Sequence, residues 1–255
     1  RTNVNANNAT YVAWCWKAGG TAVSNTDGSI TSSVSAGNGF SIAAYTGTGS
    51  GTQSVGHGLS SVPALVITKS RGTTGSWRVF TDIGGTYKIG NLNNSDAFTN
   101  ASVSAPTSSV FNVDGNSNAS TTHVAYCFAN VPGYQRVGTF VGGGDTDTTV
   151  VTGFKPRFLL AKNTTAHYWF IADSERADSN PFDELLYPNE TNAETTSGSG
   201  DHIRFNSDGF TVGAAIASEW SNGGSRQYSA WCWKCDESFT PAVTGGLTNV
   251  SGKRN

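Results

Sequence analysis

The sequence predicts an all-β protein: two tandem antiparallel β-sandwich, jelly-roll-like domains built from an internal repeat. Three observations lead there. Charged residues are only 13% of the 255-residue chain, while Gly numbers 31 and Ser, Thr and Asn make up about a third. Aromatics reach 11%, including seven Trp, far more than a disordered polar chain carries. Aromatic and β-branched residues pack on sheets, and Gly, Asn and Ser turn the chain between strands. The third observation is a repeat.

The repeat shows first in one short segment that occurs three times: Tyr11 to Lys17 (YVAWCWK), His123 to Phe128 (HVAYCF) and Tyr228 to Lys234 (YSAWCWK). Tyr45-Thr-Gly47 returns as Phe140-Val-Gly142, Pro63 to Lys69 as Pro156 to Lys162, and Phe111-Asn-Val-Asp-Gly115 as Phe205-Asn-Ser-Asp-Gly209. These offsets of 93 to 95 residues suit a small domain, not a solenoid turn. Cys127 and Cys232 lie 105 apart, so the later copy carries about 11 extra residues before its last strand. The expected organisation is one repeat over 39–133 and another over 134–239, as separate domains; the alternative is one domain with pseudo-symmetric halves. Residues 1–17 read as the closing strand of a preceding repeat, 18–38 as a Gly/Ser/Thr-rich linker or loose hairpin, and 240–255 as a tail or linker. The absence of Met, even at position 1, suits a processed chain or a piece of a longer one.

Strands are expected at Ser41–Thr46, Ala64–Lys69, Trp77–Thr81, Val124–Ala129, Val137–Val141, Phe158–Lys162, Tyr168–Ala172 and Ser229–Lys234. Each is a short β-branched or aromatic run between Gly, Asn, Asp or Pro residues. Pro181 to Leu186 has room for one helical turn. Within the thrice-repeated segment, period-2 alternation puts Trp14 and Trp16 opposite Ala13 and Cys15. Tyr126 and Phe128 likewise stand opposite Ala125 and Cys127, and Trp231 and Trp233 opposite Ala230 and Cys232. A large aromatic face and a small-residue face, both buried, are expected of a central strand.

Few chemical motifs stand out. Cys15, Cys127 and Cys232 share one repeat position, so they are expected as unpaired strand thiols. Cys232-Trp-Lys-Cys235 has CxxC spacing, but a strand sends its two Cys to opposite faces. His57, His123, His167 and His202 have no ligand spacing to one another. No nucleophile elbow, P-loop or zinc-protease motif occurs. Asp173/Glu175 and Asp183/Glu184 are the acid pairs a glycosidase would need, but neighbouring loop acids are ordinarily solvated. Asp145-Thr-Asp147 offers two carboxylates, too few to define a Ca²⁺ site. The reading is therefore of a chain without catalytic residues, cofactor or metal. The residues singled out for ligand or partner contact are Trp220, Trp77 and Trp169, with Trp220 foremost because it lies in the inserted stretch. A pI near 6.1 without a basic cluster argues against nucleic acid as a partner. The lack of an 18-residue apolar run argues against membrane insertion by a helix.

Several segments together resemble a repeat domain of bacteriophage structural proteins of the marine-phage, tail-fibre-like kind. They are Gly39 to Ser50 (GFSIAAYTGTGS), Val55-Gly-His-Gly-Leu59, Ala105 to Phe111, Val124 to Ala129, Thr152 to Pro156, Asp173-Ser-Glu-Arg176, Phe205 to Gly213 and Tyr228 to Lys234. The segment Trp16 to Ile30 belongs with them. The resemblance covers most of residues 3–234 and departs after Lys234, where Cys-Asp-Glu-Ser-Phe-Thr-Pro takes the place of an Ala-Gly-Gly linker. It implies a non-enzymatic virion protein in a surface appendage such as a tail fibre or spike. The partners it implies are other virion proteins, further copies of the chain (a trimer is favoured) and a host cell-surface glycan. The alternatives are a capsid fibre or decoration protein, and a secreted carbohydrate-binding β-sandwich module.

Overall fold

A computed structural model describes residues 7–176, 180–181, 183–195, 202–214 and 222–234, and the backbone of two short strands at 237–239 and 252–254. It is all-β, in several antiparallel sheets.

The first repeat contains β1 (Val23–Asn25), β2 (Ser32–Ala36), β3 (Phe40–Thr46), β4 (Gln53–Gly56), β5 (Pro63–Ser70), β6 (Arg78–Ile83), β7 (Thr86–Asn91), β8 (Thr99–Asn100), β9 (Val110–Val113) and β10 (Thr122–Ala129). Eight of these form one sheet in the order β1-β2-β3-β10-β5-β6-β7-β8, faced by the β4-β9 pair. The second repeat contains β11 (Gln135–Val141), β12 (Thr148–Val151), β13 (Phe158–Asn163), β14 (Phe170–Asp173), β15 (Ile203–Asn206), β16 (Gly209–Val212) and β17 (Gln227–Trp233). A β11-β17-β13-β14 sheet here faces a β12-β16-β15 sheet. Beyond it, β18 (Glu237–Phe239) pairs with β19 (Gly252–Arg254).

Each expected strand is present within one or two residues, and the closing strand is central in both sheets. β10 lies between β3 and β5, and β17 between β11 and β13. The alternation then distributes side chains as read. Ala125, Cys127 and Ala129 fill the first sandwich with Val55, Phe80 and Phe111. Ala230 and Cys232 fill the second with Leu159, Phe170 and Phe210. The aromatic faces point the other way, where a third core joins the repeats: Phe128, Trp231 and Trp233 with Leu65, Phe158 and Trp169. Burying a ring removes ~150–250 Å² from water, so this shared core is a large fraction of what holds the repeats together.

Four expectations need correction. Of the two readings for residues 18–38, the hairpin replaces the linker: β1 and β2 pair antiparallel and extend the first sheet beside β3. Ser32 and Val34 are buried while Ser33 is exposed, a half-buried strand whose core face carries a Ser. The small-residue face of the first segment is open: Cys15 is exposed, whereas Cys127 and Cys232 are buried. Residues 9–18 also carry no β-ladder among the described residues. Finally, Leu185 and Leu186 sit in β-bridges to Thr195 and Ile171, so the described residues of 181–186 form no helical turn.

Candidate functional site

The best-defined site is the junction where the three copies of the closing segment meet. Trp16, Phe128 and Trp233 hold the same position in the repeated segment. Their rings meet pairwise, edge to face: Trp16–Phe128 at 5.9 Å, Trp16–Trp233 at 5.1 Å and Phe128–Trp233 at 5.5 Å between centroids. This is a pseudo-three-fold cluster, and T-shaped pairs are the geometry that the ring quadrupole favours. Phe158 adds contacts to Trp14, Trp16 and Trp233.

Polar latches surround the rings. Trp233 Nε1 donates to Gln135 Oε1 at 2.6 Å, and Gln135 Nε2 donates to the carbonyls of Gly39 and Ala129. Gln135 thus ties the closing strand of the second repeat to the first. Trp14 Nε1 donates to Asp173 Oδ2, whose carboxylate also accepts from Arg176 Nε at 2.7 Å and from the Glu175 and Arg176 amides. Asp173 therefore anchors the N-terminal segment and is fully engaged in structural bonds.

A second contact zone lies at the sheet edge. The β5–β6 and β13–β14 registers, with Leu65 matching Phe158, make Trp77 the counterpart of Trp169. Trp169 stacks on Trp231 at 5.2 Å, and Trp77 on Tyr126 at 6.3 Å. Trp169 Nε1 donates to the Asn91 carbonyl of the first repeat at 2.8 Å, and its ring packs on Phe98. Lys162 Nζ, likewise buried, donates to the carbonyls of Ser95, Thr165 and His167. Burial lowers its pKa to about 8, with Asp96 opposing.

The three tryptophans singled out from sequence therefore part company. Trp169 is fully buried between the repeats, a core residue as its place in an expected strand also allows, which corrects its reading as a ligand or partner contact. Trp77 is 37% exposed and remains accessible. Trp220 lies outside the described residues, as does Cys235. Asp147 accepts a hydrogen bond from the Ala214 amide and faces Arg204 at 3.5 Å, so it belongs to a loop clamp. Among the described residues no three His, Cys, Asp or Glu side chains cluster as metal ligands, and no helix is long and apolar enough to cross a membrane.

Sequence reasoning missed two buried asparagines. Asn118 Oδ1 accepts from the Thr48 amide at 2.9 Å, and its Nδ2 donates to the Ser50 and Gly51 carbonyls at 3.0 Å. Asn222 Oδ1 accepts from the Gly143 amide at 2.9 Å and from Thr148 Oγ1 at 2.7 Å, and its Nδ2 donates to the Thr146 carbonyl at 2.9 Å. Asn118 clamps the glycine-rich loop after β3, and Asn222 the one after β11. Beside them the backbone approaches too closely for a side chain: a Cβ on Gly47 would lie 2.2 Å from the Ala119 oxygen, and one on Gly142 2.3 Å from the Gly223 oxygen. The Gly47–Gly51 run therefore serves loop closure. An open depression of about 380 Å³ lies beside it, bordered by Ser33, Thr46, Arg71 and Thr122.

Fold and junction together define a tandem β-sandwich repeat protein whose repeats share an aromatic core. The chain belongs to the family described as Domain of unknown function (DUF7483), which it matches over residues 1–201 and 181–253. No curated protein and no solved structure matches it.

Proposed function

We propose that the chain is a non-enzymatic structural module of a virion surface appendage, such as a bacteriophage tail fibre or spike. The observation that carries this reading is the aromatic junction. Three equivalent segments spend their largest side chains on joining repeats to one another. Repeats fused through a packed core make a rigid body, which an appendage needs. The polar residues that stand out, Asn118, Asn222, Gln135 and Asp173, are engaged in loop clamps and latches. The likeness of the repeated segments to phage structural proteins adds the location. Its partners are then other virion proteins and further copies, and repeated modules give host-surface contact by avidity.

Immunogold electron microscopy with an antibody to this chain, on particles released from the organism that encodes it, tests the reading. Label along a fibre or spike is the expected result. Label on the capsid shell would favour a capsid fibre or decoration protein. Absence of the chain from purified particles, judged by mass spectrometry, would overturn the reading.

A further inference from the structure

The repeats share a sequence pattern and a strand order, β3-β10-β5-β6 in the first and β11-β17-β13-β14 in the second, so equivalent residues on these strands should be equally covered unless a neighbour is missing from one of them. Three comparisons show the same asymmetry. Trp169 is fully buried beneath Asn91 and Phe98 of the other repeat, while its counterpart Trp77 is 37% exposed and Tyr126, on which it stacks, is half-buried. Lys162 is fully buried under the Ser95 carbonyl, while its counterpart Lys69 is half-buried and donates to the nearby Gly75 carbonyl. Cys127 and Cys232 are buried beneath their own sandwiches, while Cys15 is exposed.

One further unit accounts for all three open places. The first repeat covers the Trp169 edge of the second. A unit in the same relation to the first repeat would cover Trp77 and Lys69. The Trp16–Phe128–Trp233 cluster already supplies that unit's aromatic contribution, since Trp14 and Trp16 pack on Phe158 and Trp233. In β10 and β17 this segment is the closing strand, and the strands it completes precede it in the repeat.

We propose that a third sandwich of the same repeat, preceding residue 11 in the same polypeptide, occupies this position. It takes residues 11–17 as its central strand, buries Ala13 and Cys15 in its own core and covers Trp77. The three repeats then close a pseudo-three-fold ring around Trp16, Phe128 and Trp233. This follows the general mode of strand addition, in which main-chain bonds bind and alternate side chains fill the acceptor. It also gives residues 11–17, which carry no ladder, main-chain partners on both sides. The proposal stands whether or not the chain belongs to a virion.

Two three-repeat chains test it. In one, a copy of residues 19–122 is placed ahead of Tyr11, with the copy's own Trp77→Phe so that the host Trp77 is read alone. In the other, a copy of residues 134–227 is placed there. Neither insert contains Cys. Iodoacetamide labelling, resolved by peptide mass spectrometry, reads Cys15 against Cys127 and Cys232. Radical footprinting reads Trp77 against Trp169.

In the original chain Cys15 reacts fast and the other two slowly. In a three-repeat chain Cys15 slows by about two orders of magnitude, to the level of Cys127, and Trp77 becomes as protected as Trp169. If both grafted chains leave Cys15 and Trp77 reactive, or if neither folds, the proposal is overturned. Protection of Cys15 in the original chain together with a dimer in light scattering also overturns it, because a second copy would then cover the face.

Discussion

Trp16 and Trp233 meet edge to face with ring centroids 5.1 Å apart, although they come from opposite ends of the described chain. Half-buried Trp16 has no ladder to hold it, so its place depends on ring packing and on the Trp14–Asp173 hydrogen bond. Trp16→Ala should lower stability by about 2–3 kcal/mol, below the ~3–5 kcal/mol of a fully buried aromatic. Urea unfolding followed by circular dichroism measures this. Asp173→Asn should act in the same direction, because it weakens the charge-assisted bond from Arg176 as well.

Trp77 and Trp169 occupy equivalent positions in different surroundings. Trp169→Ala should cost about 3–5 kcal/mol, since it empties a closed site and strands the Asn91 carbonyl. Trp77→Ala should cost about 1–2 kcal/mol in this two-repeat chain, in keeping with its partial exposure. Equal costs measured by thermal or urea unfolding would contradict the asymmetry between the repeats.

Asn118→Ala and Asn222→Ala should each destabilise by about 1–3 kcal/mol, because each removes a buried side-chain amide that makes several hydrogen bonds to its loop. Asn222→Asp should be only partly better tolerated: it keeps the acceptor for Gly143 and Thr148 but turns the donor to Thr146 into a repelling oxygen. Differential scanning calorimetry ranks the three variants.

Stability should also follow pH in a defined way. Burial pushes the Cys127 thiol up to about 12, and it raises Cys232, Tyr45 and Tyr87 as well. The folded state keeps protons that the unfolded chain gives up near pH 9–10. Their contribution is intact below pH 9 and is lost as pH rises towards 12. Lys162 has the opposite sign. Its pKa is lowered to about 8, so the unfolded chain binds that proton more strongly and stability rises from pH 8 towards 10.5. The urea midpoint should therefore climb slightly from pH 8 to 9 and fall beyond about pH 10. Each group contributes a slope of at most about 1.4 kcal/mol per pH unit. Lys162→Met should abolish the rise and leave the fall.

The parts legible in the sequence were those written by period-2 alternation. Ala125 and Cys127 against Tyr126 and Phe128 gave both faces of β10 correctly, because a central strand must satisfy two cores at once. The same pattern misled at Cys15: alternation reports which residues share a face, not whether anything covers it. β2 was hidden because Ser32 sits on its core face, satisfied by a hydrogen bond to the Gly56 carbonyl. Asn118 and Asn222 read as turn residues, since an Asn that clamps a loop and one that merely turns it look alike in a single sequence. Their recurrence shortly before His123 and Tyr228, in two copies of one repeat, was the signal available. Trp169 required knowledge of the neighbouring repeat, which no local pattern contains.

The two repeats and the N-terminal segment form one unit held by a common aromatic core. Equilibrium urea unfolding, followed in parallel by tryptophan fluorescence, far-ultraviolet circular dichroism and thiol exposure at Cys127 and Cys232, tests this most directly. One coincident transition at all probes is the predicted result. Two separated transitions, with Cys127 and Cys232 exposed at different urea concentrations, would contradict it.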